Sequence, residues 1–306
     1  MPVPILILII ILALLLVFLV VASVLLARMV AWPHRITIPD EIKYEKEKGM
    51  WKNFDELKKE EYTLNSFDGY ELHMLYVPAE EVSNKYVIIS HGYSGCRLGS
   101  VKYLHLFHDL GFNAMLYDDR GHGDNVRVAC TMGFKESRDL MEVIKHVYER
   151  FGNDIVLGLH GESMGSALSN NALQYSPRVD FIVSDCGYND LMKLYEHLVS
   201  KNLHLPKFFA STASLVSRIF YGYFYKQVSP IRYIKENEIP ICFFHGDSDS
   251  LIPCEHAKEM HEANKGYSEL YIIPGAEHAM SVVTDEAFYR EKVKGFLEKT
   301  GIIDVR

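Results

Sequence analysis

The sequence predicts an α/β protein with a mostly parallel central sheet flanked by helices, a small helical cap, and a helix able to span a membrane. Three observations predict it. After residue 60, apolar runs of about five residues alternate with longer stretches of helical periodicity, the rhythm of a parallel sheet covered on both faces. One of those runs leads directly into Gly161-Glu162-Ser163-Met164-Gly165 and then a helical pattern. Residues Ile5 to Ala27 form an unbroken stretch of 23 residues without a charge.

Composition narrows the function classes. The 306 residues are 48% hydrophobic and 24% charged, which excludes a disordered or low-complexity chain. With 32 Lys+Arg against 40 Asp+Glu the formal net charge is −8, and no basic stripe interleaved with aromatics offers a nucleic-acid footprint. The five cysteines are scattered and lack a CxxC pair, so neither a disulfide framework nor a thiolate zinc site is expected.

The elements follow in order. Residues 5–27 make a helix of roughly 34 Å, enough to cross a hydrocarbon core of about 30 Å. A cleaved signal peptide is the competing reading; the missing basic start, the length of the run and the lack of an A-x-A site before Arg28 argue against it. Arg28, Arg35, Lys43 and Lys46 follow the span and no Lys or Arg precedes it, so the positive-inside bias puts the remaining chain on the cytoplasmic side of a single-pass anchor in the cell membrane. Residues 28–60 read as a juxtamembrane segment, broken by Pro33 and Pro39, whose mixed charges from Glu41 onward (EIKYEKEKGMWKNFDELKKE) suggest a solvated linker and a short helix.

The main domain, 61–306, follows. Strands are expected at Glu71–Val77, Tyr86–Ser90, Asn113–Tyr117, Ile155–Leu159, Phe181–Ser184, Ile241–His245 and Leu270–Ile273. Helices are expected at Lys135–Phe151, Met164–Gln174, Glu255–Ala263 and Asp285–Thr300, with another between the second and third strands. The interval 188–235 is too long for a plain crossover and is helical and aromatic-rich; it is assigned to a cap over the carboxyl ends of the strands, with Phe208–Tyr225 bordering substrate access.

The chemistry resides in G-x-S-x-G between a strand and a helix. That context holds Ser163 on a sharp turn at the mouth of the sheet, above a helix N-terminus, with flanking glycines allowing close backbone packing. A serine hydroxyl is a weak nucleophile and needs a base and an orienting carboxylate. His278, after the last strand, is the candidate base. Asp247 and Asp249, in His245-Gly246-Asp247-Ser248-Asp249, are the candidate acids, in the serine–acid–histidine order of this architecture.

These residues resemble the α/β-hydrolase superfamily, particularly bacterial membrane-anchored or cytosolic esterase-like members related to the serine aminopeptidase and monoacylglycerol-lipase groups. The likeness runs from about Phe67 to Leu297. It rests on His91-Gly92-Tyr93, Asp118-Asp119-Arg120-Gly121-His122-Gly123, Gly161–Gly165, and the pair His245–Pro253 and Gly275–His278. The resemblance implies that Asp249 is the acid, as the fifth residue of the family's H-G-x-x-D-x-x-x-P pattern, and that Asp247 supports the loop. It implies an oxyanion hole formed by the backbone N–H groups of Tyr93 and Met164, and a mainly structural role for the Arg120 block. No tandem HGGG loop is present, which sets the chain apart from hormone-sensitive-lipase-like esterases. Dinucleotide, Walker and H-E-x-x-H motifs are absent too, so no cofactor or metal is expected.

The expected activity is hydrolysis of carboxylic esters, on small-molecule or amphiphilic acyl substrates, by a Ser163–Asp249–His278 triad. A small-peptide or amide hydrolase is the alternative, and a membrane-tethered binding protein without catalysis is a third reading.

Overall fold

The structure is a computed structural model that describes residues 1–304. The first helix, α1 (Val3–Ala31), is followed by α2 (Ile38–Glu47). The chain then builds β1 (Glu60–Asn65), β2 (Glu71–Val77), β3 (Lys85–Ser90), α3 (Val101–Asp109), β4 (Asn113–Tyr117), α4 (Glu136–Phe151), β5 (Val156–Glu162) and α5 (Met164–Asn171). After β6 (Phe181–Asp185) come α6 (Leu191–Lys201), α7 (Phe208–Tyr221) and the short α8 (Pro230–Ile234). The chain continues through β7 (Ile241–Gly246), α9 (Glu255–Ala263), β8 (Ser268–Ile273), α10 (Ser281–Thr284) and α11 (Glu286–Lys299).

The eight strands form one sheet in the order β1-β2-β4-β3-β5-β6-β7-β8. Only the β1–β2 and β2–β4 pairings are antiparallel; from β4 to β8 every neighbour is parallel. The strands β3–β7 read as continuous apolar runs because both faces are covered. Successive residues serve opposite faces: Val87, Ile89, Leu116 and Phe244 pack with Phe107 and Phe296 on one side, while Ile88, Met115 and Phe243 pack with Leu140 and Val143 on the other. The order reverses at β3, since the chain goes outward to β4 and then returns to lay β5 on the opposite edge of β3. In such sheets, ligands bind beyond the strand carboxyl ends at this reversal.

The expected strands and helices are present, with three differences. The edge strand β1 was not anticipated: Glu-Glu-Tyr-Thr-Leu-Asn is exposed at alternate positions and has little apolar content to announce it. The first helix extends past Ala27 to Ala31, where the chain leaves it ahead of Pro33. Within 28–60 the expected short helix is α2, but the segment packs on the domain where a solvated linker was expected. Trp51 and Phe54 are buried in the main core, and α2, capped by the Thr37 side chain, lies on the domain with Glu41 and Glu45 buried.

Between β6 and β7, α6 and α7 enclose an apolar cluster separate from the two sheet faces. It joins Tyr188, Phe209, Tyr223 and Tyr225 to Met164 and to Leu26, Ala27 and Val30 of α1. The last turns of α1 therefore rest on the cap interval beside the residue that follows Ser163.

Candidate active site

Ser163 stands where β5 turns into α5, with φ 55° and ψ −114°. A side-chain-bearing residue with positive φ costs about 1–3 kcal/mol and persists only where its surroundings enforce it. Here the enforcement is close packing. A Cβ on Gly161 would lie 2.2 Å from the Gly165 carbonyl oxygen, and one on Gly165 would lie 2.1 Å from that of Ser90. Both positions require glycine. The Ser163 N–H donates to the Asp185 carbonyl at 2.9 Å, fixing the turn to β6.

The structure brings Ser163, His278 and Asp249 together. The Ser163 hydroxyl lies 2.9 Å from His278 Nε2, and His278 Nδ1 lies 2.7 Å from Asp249 Oδ2. Asp249 Oδ1 accepts the N–H groups of Leu251 at 3.0 Å and Ile252 at 2.8 Å. His245 Nε2 lies 3.2 Å from Oδ2 and 2.7 Å from the Ile252 carbonyl. Burial alone would raise the Asp249 pKa, but hydrogen bonds from His245, His278 and the Ile252 backbone hold it well below the usual carboxylate range. A serine, an imidazole and an ionised carboxylate linked in this order have the geometry that general-base activation of a hydroxyl requires.

Asp247 lies elsewhere in the same loop. Its Oδ1 accepts from the Gly275 N–H at 2.7 Å and from the Ser248 hydroxyl at 3.0 Å, tying the two loops together. Arg120 is also occupied with structure: its guanidinium holds Asp139 at 2.6 and 2.7 Å and Asp68 at 3.1 Å.

Tyr93 follows β3, and Met164 begins α5. Among the described residues neither backbone N–H has an acceptor. The Tyr93 loop is shaped by buried His91, whose Nδ1 donates to the Gly92 carbonyl at 2.7 Å while Nε2 accepts from the Asp119 N–H at 3.0 Å. Burial pushes the His91 pKa down to about 4, so the ring stays neutral and keeps this donor–acceptor pattern. The Tyr93 hydroxyl, whose direction the sequence left open, donates to the carbonyls of Met29 at 2.8 Å and Val30 at 3.0 Å at the end of α1.

Sequence reasoning missed the charges behind this loop. Lys102 Nζ lies 2.5 Å from Glu162 Oε2, which also accepts from the Tyr103 hydroxyl at 2.6 Å. Glu41, Glu45, Lys102, Glu162, Tyr93 and Ala279 border a cavity of about 210 Å³. Burial raises both Glu41 and Glu45 to about 7, against the attraction of Lys102 and with the repulsion of Glu162. The one sequence signal was the four-residue spacing of the two glutamates.

Cys186, Asp249 and His278 offer ligand-type atoms within 4.8 Å of one another. They suit a metal poorly: the Asp249 and His278 atoms already bond each other, and burial raises the Cys186 pKa, keeping its sulfur protonated.

Comparison with known proteins agrees with this architecture. The BD-FAE family model matches residues 156–263. The uncharacterized protein YqkD of Bacillus subtilis is 30% identical over 281 residues, covering 90% of this chain and 92% of its own. Among solved structures, the Pyrococcus furiosus esterase Pf2001 superposes with a TM-score of 0.69 at 22% identity, covering 88% of this chain and 97% of its own. Pyrococcus horikoshii acylaminoacyl peptidase superposes with a TM-score of 0.60 at 16% identity, covering 81% of this chain and 43% of its own. The chain has the α/β-hydrolase fold and belongs to one family with its Bacillus relative YqkD.

Proposed function

We propose that the protein is a serine hydrolase that cleaves carboxylic esters through an acyl-enzyme. The observation that carries this reading is the hydrogen-bonded chain from the strained Ser163 through His278 to Asp249. His278 takes the Ser163 proton as the hydroxyl oxygen attacks the ester carbonyl. It then gives that proton to the departing alcohol and later activates the water that releases the acid. Asp249 stays ionised, fixes the imidazole tautomer and stabilises the imidazolium. The N–H groups of Met164 and Tyr93 receive the negative oxygen of the tetrahedral intermediates, and each such donor is worth about 3–4 kcal/mol in transition-state energy.

A small-peptide or amide hydrolase is the second reading, favoured by the likeness to an acylaminoacyl peptidase. Residues 5–27 anchor the enzyme in the cell membrane as a single span, with the catalytic domain on the cytoplasmic side, where the basic residues after the span belong. An amphiphilic acyl ester suits an enzyme held there.

The test pairs a fluorophosphonate probe with turnover of an activated short-chain ester. The parent protein labels and turns over. Ser163→Ala and His278→Ala each lose several orders of magnitude in kcat/KM while keeping the parent circular dichroism spectrum. Normal turnover by Ser163→Ala would sink the covalent mechanism. An unlabelled, inactive parent would favour a binding protein. Faster cleavage of aminoacyl amides than of matched esters would favour the second reading.

A further inference from the structure

The helix α7 is built inside out for a protein in water. Its buried side carries Ala210, Ala213, Ser214 and Ser217 beside Phe209. Its bulk faces outward: Phe208 is 52% exposed, Leu215 53%, Ile219 68% and Phe220 68%. Small residues where helices approach closely and large apolar ones outside is the pattern of helices whose surroundings are lipid. A soluble monomer rarely leaves such a contiguous patch bare.

Depth can be read from α1. A helix needs about 20 residues to cross the hydrocarbon core, and α1 has 29. Its buried residues begin at Ser23 and continue through Leu26, Ala27, Val30 and Ala31, so the part before Ser23 is the stretch left for the bilayer. Ser23 Oγ donates to Thr212 Oγ1 at 2.7 Å, and the Phe18 and Phe209 rings meet edge to face at 6.1 Å. The first turns of α7 therefore sit level with the end of the spanning stretch, and Phe209 touches a residue within it.

Charge agrees. From His197 to Lys235 the chain has six Lys or Arg (Lys201, Lys207, Arg218, Lys226, Arg232 and Lys235) and no Asp or Glu, in a protein of net charge −8. Basic residues around an apolar face are what an anionic leaflet attracts.

We propose that the outer face of α7 lies in the leaflet from which α1 emerges, so that the cap is a second membrane-embedded element placed to receive an amphiphilic ester from the bilayer. This rests on α1 being the anchor. It gives the cap a lipid-facing outer side, while Phe209, Tyr223 and Tyr225 face the cluster that contains Met164. An amphiphilic ester then reaches Ser163 from the bilayer rather than from water.

The test uses the full chain in vesicles of phosphatidylcholine and phosphatidylglycerol. All five native cysteines are buried, so an environment-sensitive thiol fluorophore reports on introduced sites: Leu215→Cys and Ile219→Cys on the cap, Leu15→Cys in the span, and Val82→Cys on the exposed loop ahead of β3, beside Asp109 and Arg290 at the amino ends of the strands. Chain-brominated lipids should quench the two cap labels and the Leu15→Cys label, and spare Val82→Cys. A quenched Leu15→Cys label beside unquenched cap labels overturns the proposal and leaves the anchor standing. An unquenched Leu15→Cys label removes the anchor and the proposal with it. Self-quenching of cap labels that disappears on dilution into excess lipid, with no quenching by bromine, assigns the face to a second copy and also overturns the proposal. As a functional readout, Leu215→Glu with Ile219→Glu should lower hydrolysis of a vesicle-embedded long-chain ester several-fold and leave a soluble short ester unaffected. Equal rates on both would overturn the access role.

Discussion

Asp249 receives hydrogen bonds on both carboxylate oxygens, two from backbone N–H groups on one and those of His278 and His245 on the other. Under the proposed mechanism, Asp249→Asn removes the charge that holds the imidazole tautomer, so kcat should fall by about 10⁴. Asp247→Asn should stay within about tenfold of the parent, since it weakens a loop bond to Gly275 worth about 1 kcal/mol. Parallel kcat/KM measurements on one activated ester check both, and the reverse pattern would transfer the acid role to Asp247. Lys102 and Glu162 make a separate residue-scale prediction because both side chains are nearly inaccessible. Lys102→Met leaves a buried carboxylate without its cation and should cost about 3–5 kcal/mol in denaturant unfolding. Adding Glu162→Gln should recover much of that. Additive losses in the double variant would show that the pair is not coupled.

At the scale of elements, α2 shows why part of the site was not legible. Glu41 and Glu45 lie on one face of a short helix amid Lys43, Lys46 and Glu47, and charge density alone reads as a solvated surface. Only the tertiary fold places that face over Lys102 and Glu162. Strands β3–β7 were legible because buried parallel strands leave continuous apolar runs, and β1 was not because an exposed edge strand leaves none. The elbow was legible because G-x-S-x-G carries its own steric logic. The distance from His278 to either aspartate was not, because it depends on how two loops pack.

The α2 glutamates give a pH prediction with a definite sign. Raised from the usual carboxylate value to about 7 by burial, they keep protons in the folded state that the unfolded chain has released. Stability therefore falls as pH rises from about 4.5 to about 7 and levels off beyond. A Glu41→Gln/Glu45→Gln variant should melt above the parent at about pH 8 and with it at about pH 4.5. A Tm difference that does not change with pH would refute buried titration at these positions.

For the whole molecule, α1 joins what the sequence separated into an anchor and a domain. Its exposed part ends where its buried part begins, at Ser23. The buried part supplies Leu26 and Val30 to the cluster around Met164 and two carbonyls to the Tyr93 hydroxyl. If the proposed anchor holds, anchoring and support of the Tyr93 loop fall to successive segments of one helix, and truncation should separate them. Removing residues 1–22 should leave the protein bound only peripherally through the α7 face, so that an alkaline high-salt wash releases it, and should leave its Tm and short-ester turnover near the parent's. Removing residues 1–31 also strips away Leu26 and Val30, each worth about 1.5–3 kcal/mol when buried. It leaves the Tyr93 hydroxyl without its acceptors, so both Tm and turnover should fall. Fractionation, thermal unfolding and ester kinetics on the two truncations check this together. The loss is expected because the last turns of α1 are buried beside the residue that follows the nucleophile; a longer truncation as stable and active as the shorter would reduce α1 to a tether.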